Sequence, residues 1–251
     1  LHLIEILAGR AFQKAQEIPE GGNPPGQLTV LVTRSGSFNT GNQDFYFKLM
    51  TFISEAYIGD MRELAFEKIK KTVLTKLQGL SPDLTYHSLG HTLDVVQQCE
   101  RIAQEEGITD PDQLFLLKIA ALYHDTGFLR TYSEHEAKGC NIFLEDVDGM
   151  EFSDHEKSQI IDLIMATRIP QKPKTLLEKI ICDADLDYLG RNDFFAIGDN
   201  LRKEFLCYHV IASNEEWEQL QLNFLQHHHY HTQSSRKLRE PVKQKNFSQL
   251  K

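Results

Sequence analysis

Apolar residues recur along most of this chain at intervals of three and four, the spacing that places side chains on one face of an α-helix. From residue 61 onward the pattern predicts helices over 61–77, 86–105, 114–124, 134–144, 154–167, 175–188, 194–207 and 214–228. The breaks fall at Ser81-Pro82-Asp83, Gly127, Ile169-Pro170 and Gly190, where glycine and proline interrupt the ladder. Asp110-Pro111 is a helix start, with a capping carboxylate followed by a proline that has no amide hydrogen to lose. The helix it opens is almost entirely apolar from Leu114 to Tyr123, which predicts a rod buried in the middle of a bundle. Before residue 61 the signals are mixed. Residues 3–17 read as a helix, 19–26 as a breaker cluster, Thr29-Val30-Leu31-Val32-Thr33 as a strand, and 35–42 as a loop. Residues 45–57 are apolar and aromatic and are expected to pack on something.

The fold class predicted is therefore all-α: a helical bundle over 61–235, with a short mixed N-terminal extension over 1–60 that could be the remnant of another domain. The basic stretch over 236–251 reads as a solvated tail more readily than as a site for phosphate or an acidic partner.

Composition narrows the function classes. The 251 residues carry 41% hydrophobic side chains, enough for a sizeable core. No apolar run approaches the roughly 18 residues that span a bilayer, so no membrane role is expected. The start, Leu1-His2-Leu3-Ile4-Glu5, has an acid where a secretion signal carries basic residues, and a first residue other than Met suggests a piece of a longer chain. A net charge of -9 disfavours bulk nucleic-acid binding, although a metal or a local basic patch can still attract phosphate. Cys99, Cys140, Cys182 and Cys207 are widely spaced and form no C-x-x-C pair. They read as small packing residues in a reducing cytoplasm.

Three clusters carry candidate chemistry. His87 and His91 are four apart, which would set them on one helix face. The doublet His124-Asp125 ends the apolar rod, where an ionised carboxylate needs a cation, whether a metal or a salt-bridge partner. Asp183 and Asp185 lie in the apolar stretch that follows Ile180. Two positions apart on a helix is about 200° of rotation, so the pair cannot both face one point. Asp187 reads as solvated or as a partner of Arg191. Imidazole and carboxylate together suit Mn, Mg, Fe, Co or Zn. The run His227-His228-His229-Tyr230-His231 is expected to close a helix and pack over the core rather than bind metal.

The order of these pieces resembles the HD superfamily of metal-dependent phosphohydrolases. The matching stretches are Tyr86-His-Ser-Leu-Gly-His-Thr, Ala120-Ala-Leu-Tyr-His-Asp-Thr-Gly-Phe, His135-Glu136 and Asp183-Ala-Asp-Leu-Asp-Tyr-Leu-Gly-Arg. The resemblance implies an all-helical domain with a central divalent metal held by His91, His124, Asp125 and Asp185. Asp185 is preferred over Asp183 on the family's pattern around its last Asp. His135 stands where some members place an extra ligand. Thr167-Arg168 stands where a further histidine would be, so a full second-metal site is in doubt. Members with a lysine after the His-Asp-x-Gly segment use it near phosphate. Phe128 occupies that position here, leaving Arg130, Arg168 or the tail to supply a cation.

The implied reaction is hydrolysis of a phosphate ester, a nucleotide or cyclic nucleotide above all, as a phosphodiesterase or phosphomonoesterase. Asp125 would bind metal and orient water. His87 would donate a proton to the leaving oxygen or only orient a ligand. His135, Arg168 and Arg130 are the expected substrate-side residues. The expected partner is a small phosphorylated substrate, in the cytoplasm, with homo-oligomerisation left open. Two other readings stand beside this one: a regulatory HD module that binds a nucleotide without turnover, and a di-iron HD-type oxygenase, against which the missing late histidine argues.

Overall fold

The computed structural model describes residues 43–250, with side chains from residue 59 on, Asp60 excepted. The chain divides into two compact units, 1–58 and 59–251. Of the first, the helical backbone over 43–58 is described; the helix expected over 3–17, the strand over 29–33 and the mixed character of the extension lie outside the described residues. Everything below concerns the second unit.

Among the described residues every regular element is helical. In order they are α1 (Gln43–Leu77), α2 (Leu89–Glu105), α3 (Pro111–Tyr123), a 3-10 turn (Thr126–Leu129), α4 (His135–Asp146), α5 (Asp154–Ala166), α6 (Leu176–Asp185), a second 3-10 turn (Asp187–Gly190), α7 (Phe194–Cys207), α8 (Asn214–His227) and α9 (Gln233–Leu250). The chain marks many of these starts with a cap. Asp110 accepts from the backbone N–H of Asp112, Thr175 from Glu178 and Ser213 from Glu216. Ser153 and Glu156 form a reciprocal capping box at the head of α5.

The rod predicted from the apolar run is the centre of the bundle. Every residue of α3 from Phe115 to Tyr123 is buried. It is surrounded by Phe66, Ile69 and Val73 of α1, Val95, Cys99 and Ile102 of α2, Ile142 and Phe143 of α4, Ile160 and Ile164 of α5, and Ile180 and Ile181 of α6. Lys118 is tolerated in this rod because its ammonium reaches Glu63 at 2.8 Å and Glu100 at 3.1 Å while lying over the Phe66 ring. A second, smaller cluster of Tyr86, Leu186, Tyr188, Leu189, Phe194 and Leu225 joins the 3-10 turn after α6 to α7 and α8.

Several expectations are corrected here. Residues 233–250 are not a solvated tail. They form α9, which buries Ser235, Lys243 and Asn246 and packs along the 3-10 turn 187–190. The reason is charge: Arg239 of α9 and Arg101 of α2 each meet Asp187 Oδ1 at 2.8 Å, and Asp187 has no exposure at all. The solvated reading of Asp187 fails with it; Arg191 stands further off, at 3.7 Å. Asn246 completes the seam by donating to the carbonyls of Leu189 and Arg191. Three of the four cysteines are buried, whereas Cys207 is exposed and does not pack.

The helix expected from residue 86 begins at Leu89 instead. Ser88 caps it, and the backbone N–H groups of Tyr86 and His87 are given to Glu204 rather than to a helix. His87 therefore precedes α2, and the shared helix face expected for His87 and His91 does not exist. No helix among the described residues is long and apolar enough to cross a membrane.

Candidate metal centre and cavity

The first histidine stands one turn into α2, where the Ser88 cap fixes the entry: the Ser88 hydroxyl accepts from the backbone N–H of His91. The second ends α3. His124 is 1% exposed, and its Nδ1–H donates to the carbonyl of Ala121 at 2.8 Å, which leaves Nε2 as a bare lone pair in the neutral ring. Asp125 follows, also buried. Asp185 is the last residue of α6.

These pieces converge. His91 Nε2 lies 3.4 Å from His124 Nε2, 3.4 Å from Asp125 Oδ2 and 3.2 Å from Asp185 Oδ1. His124 Nε2 lies 3.1 Å from Asp125 Oδ2 and 3.7 Å from Asp185 Oδ1. His91, His124 and Asp125 form a group that could hold a metal ion.

The donor set fits a divalent cation on two counts. Ligand atoms each about 2.1 Å from one ion stand about 3.0–3.4 Å apart in octahedral or tetrahedral arrangement, close to the separations among His91, His124 and Asp125. Asp185 lies outside that group and approaches it from the histidine side. The lone pair of His124 Nε2 also faces Asp125 Oδ2, which is buried and has no hydrogen-bond donor. Two acceptors in contact repel unless a positive charge stands between them. Protonation answers the same need: burial pulls the His124 imidazole down, but Asp125 and Asp185 outweigh it and raise it to about 9. Asp125 moves the opposite way. Burial favours its neutral form, yet His124, His87 and His91 hold its carboxyl far below the usual range.

Asp183 takes a separate role. It is fully buried and accepts from the backbone N–H of His231 at 2.7 Å, the N–H of Thr232 at 2.8 Å and the Thr232 hydroxyl at 2.6 Å. It anchors the segment between α8 and α9, while Asp185 faces the histidines. The rotation between the two positions separates an anchor from a cluster member. Of the run 227–231, His228 and Tyr230 pack while His227 and His229 are exposed: His228 stacks on Phe224 and meets Tyr230 edge-on, and the Tyr230 hydroxyl donates to the carbonyls of Leu186 and Asp187.

Over the cluster opens a cavity of about 410 Å³, lined by His87, Asp125, His135, Glu136 and Asp185 on its polar side and by Tyr188, Phe205, Trp217 and Phe224 among its apolar residues. His87 enters it through a ring stack. Its imidazole lies 4.2 Å from Phe128, which lies 4.0 Å from His135 on a second stacked contact. Phe128 thus fills the place of an expected lysine with an aromatic ring that packs on two histidines, themselves 5.9 Å apart. His135 Nε2 is 3.6 Å from Asp125 Oδ1, and burial lowers its pKa despite Asp125 and Glu136. The residue before it, Glu134, adopts a left-handed backbone at φ 53°, a conformation that costs a non-glycine residue free energy and aims the start of α4.

Sequence reasoning missed Glu204. Its carboxylate has no exposure and accepts from His87 Nδ1–H, the N–H groups of Tyr86 and His87, and the Tyr132 hydroxyl at 3.1 Å. A signal existed: residues 194, 197, 201 and 205 are the apolar stripe of α7, and Glu204 lies on that stripe. Burial pulls the His87 imidazole down, but Asp125, Glu204 and Asp185 together raise it.

The two arginines expected on the substrate side are elsewhere. Arg130 is held by Glu145 in a bidentate surface pair at 3.0 and 2.5 Å. Arg168 is exposed and 3.8 Å from Glu134. Neither lines the cavity, and among the described residues no lysine or arginine does.

The family model described as HD domain matches residues 88–187 of the chain. HD domains bind divalent metals and are generally metal-dependent hydrolases, with some non-catalytic members. His87 stands just before the match; Glu204 and α8 lie beyond it. No curated protein and no solved structure matches the chain.

Proposed function

We propose that this protein hydrolyses a phosphate ester, a nucleotide or cyclic nucleotide, with a divalent metal held by His91, His124, Asp125 and Asp185. The observation that carries the reading is the convergence of two imidazole nitrogens and two carboxylate oxygens, one of them buried without a donor, beneath a cavity that also holds the His87–Glu204 pair. A divalent cation held there would neutralise a phosphoryl oxygen and bring the pKa of bound water down toward neutrality.

The chain's own residues supply the rest. Asp125 has two oxygens in different surroundings: Oδ2 belongs to the cluster, while Oδ1 faces His135 and can accept a hydrogen bond from an attacking water. Glu204 holds His87 Nδ1–H, so Nε2 is the atom that carries a proton to the leaving oxygen. Phe128 stacks on both the His87 and His135 rings, which also meet each other at 5.9 Å, and covers one face of each. His135, neutral at ordinary pH, is a hydrogen-bonding group for the phosphoryl oxygens.

The test is metal analysis of the purified protein followed by phosphomonoesterase and phosphodiesterase assays with Mn, Mg, Fe, Co or Zn restored one at a time. The expected result is about one ion per chain and turnover that His124→Ala abolishes. Absence of any bound ion, with no ester cleaved under any metal, would overturn the proposal.

A further inference from the structure

One helix builds a distinct wall of the cavity. Trp217, Leu220, Gln221 and Phe224 stand at i, i+3, i+4 and i+7 of α8, one face of a helix, and all four line the cavity. Trp217 is 7% exposed and packs edge-on against Phe205, another lining residue. Into this aromatic wall the chain places a primary amide. Gln221 is 9% exposed and makes no hydrogen bond to any described residue. Its room comes from Gly198 of α7, where an added Cβ would stand 2.9 Å from Gln221 Nε2. Its amide atoms are not among the fully buried ones left without a partner; they open onto the cavity. An amide with no protein partner, held in an aromatic wall and facing a cavity, is poised for a ligand that offers it a donor and an acceptor.

We infer that this wall is a subsite for a planar, uncharged, hydrogen-bonding heterocycle of the nucleobase class. Trp217 and Phe224 give the ring its aromatic contact, and Gln221 reads its edge. A primary amide presents one acceptor and one donor side by side, matching a ring that offers a donor beside an acceptor. The aromatic contact is tolerant of ring identity, so the amide decides which ring fits best.

Charge limits the other half of the ligand; this step rests on the hydrolase reading above. The cavity is lined by three carboxylates, Asp125, Glu136 and Asp185, and by no lysine or arginine. A single phosphoryl group can be neutralised at the metal cluster and by His87. A triphosphate would bring further negative charge against those carboxylates with no fixed cation to receive it. The ligand class is thus a nucleoside bearing one phosphoryl group.

Trp217 is the chain's one tryptophan, so its fluorescence reports on this wall directly. The four common nucleosides, their 5′-monophosphates and their triphosphates are titrated against the protein with Mn²⁺ present and absent. The expected result is a saturable change with at least one nucleoside, tighter binding of its monophosphate than of its triphosphate, and a tenfold or greater loss of affinity in Gln221→Leu. Gly198→Ala, which displaces the amide without removing it, gives a smaller loss in the same direction and stands in if the first variant misfolds. No response to any nucleoside, or affinity unchanged in both variants, overturns the subsite. Triphosphates binding most tightly overturns the charge argument. Turnover is scored separately with ribose 5-phosphate as the ring-free ester. Nucleoside binding through Gln221 with no ester cleaved would support the subsite and remove the hydrolase reading. Equal cleavage of ribose 5-phosphate and the monophosphates, with no nucleoside response, would do the reverse.

Discussion

His87 donates its Nδ1–H to Glu204, a carboxylate with no solvent exposure that lies 117 residues further along the chain. The pair fixes the tautomer and orientation of an imidazole whose other nitrogen is left for the cavity. Glu204→Gln keeps the shape and removes the charge. The expected outcome is a fall in kcat of about 10²-fold with little change in KM, the scale of lost general-acid catalysis. The alkaline limb of the pH profile should also move to lower pH, because Glu204 is one of the groups that raise His87. A kcat loss with an unshifted profile would mean that Glu204 is only structural.

Asp183 and Asp185 are separated by one residue and belong to different parts of the molecule. Asp185→Asn should empty the metal centre while leaving the thermal midpoint of the metal-free protein nearly unchanged. Asp183→Asn should retain metal stoichiometry but destabilise the fold by about 2–3 kcal/mol, since its amide would set a donor against the donors of His231 and Thr232. Metal content and denaturant midpoints of both variants check the contrast; equal metal loss in the two would refute it.

His228 predicts an acid-sensitive contribution to stability. Burial, with Lys243 close by, lowers its pKa from 6.5 to about 3. The folded protein holds the ring neutral, whereas the unfolded chain takes up a proton below 6.5. The contribution is therefore complete above pH 6.5 and is lost as pH falls from there toward 3, at up to about 1.4 kcal/mol per pH unit. Unfolding free energies of the protein and of His228→Leu between pH 7 and 4 should converge as pH falls. Parallel curves would show that this ring stays uncoupled from folding.

Gly127 lets the turn after the His-Asp doublet touch α4. A Cβ there would come 1.8 Å from the carbonyl oxygen of His135 and 2.6 Å from its carbon, backbone atoms that cannot swing aside. Gly127→Ala is expected to cost at least about 2 kcal/mol and to displace the Phe128–His135 stack. Calorimetry reads the first effect. The second appears as a drop in turnover that a stabilising osmolyte does not restore.

Much of the bundle was legible in the chain. The period-3.6 pattern, Asp110-Pro111 and the breakers around 127, 170 and 190 are local signals, because helices form from neighbours in sequence and announce their ends with caps and glycine or proline. The apolar run of α3 likewise required a buried rod, and the resemblance to HD proteins singled out His91, His124, Asp125 and Asp185. What the chain could not disclose depends on contacts across tens of residues. The helix that periodicity began at 86 starts at 89 because Glu204 takes the intervening amides. The basic C-terminal stretch is a packed helix because Asp187, buried in a turn, draws in Arg239. Arg130 is a cation in the sequence and Glu145's partner in space. Which acid meets which base is settled by three-dimensional proximity and desolvation, and neither leaves a periodic trace in the order of residues.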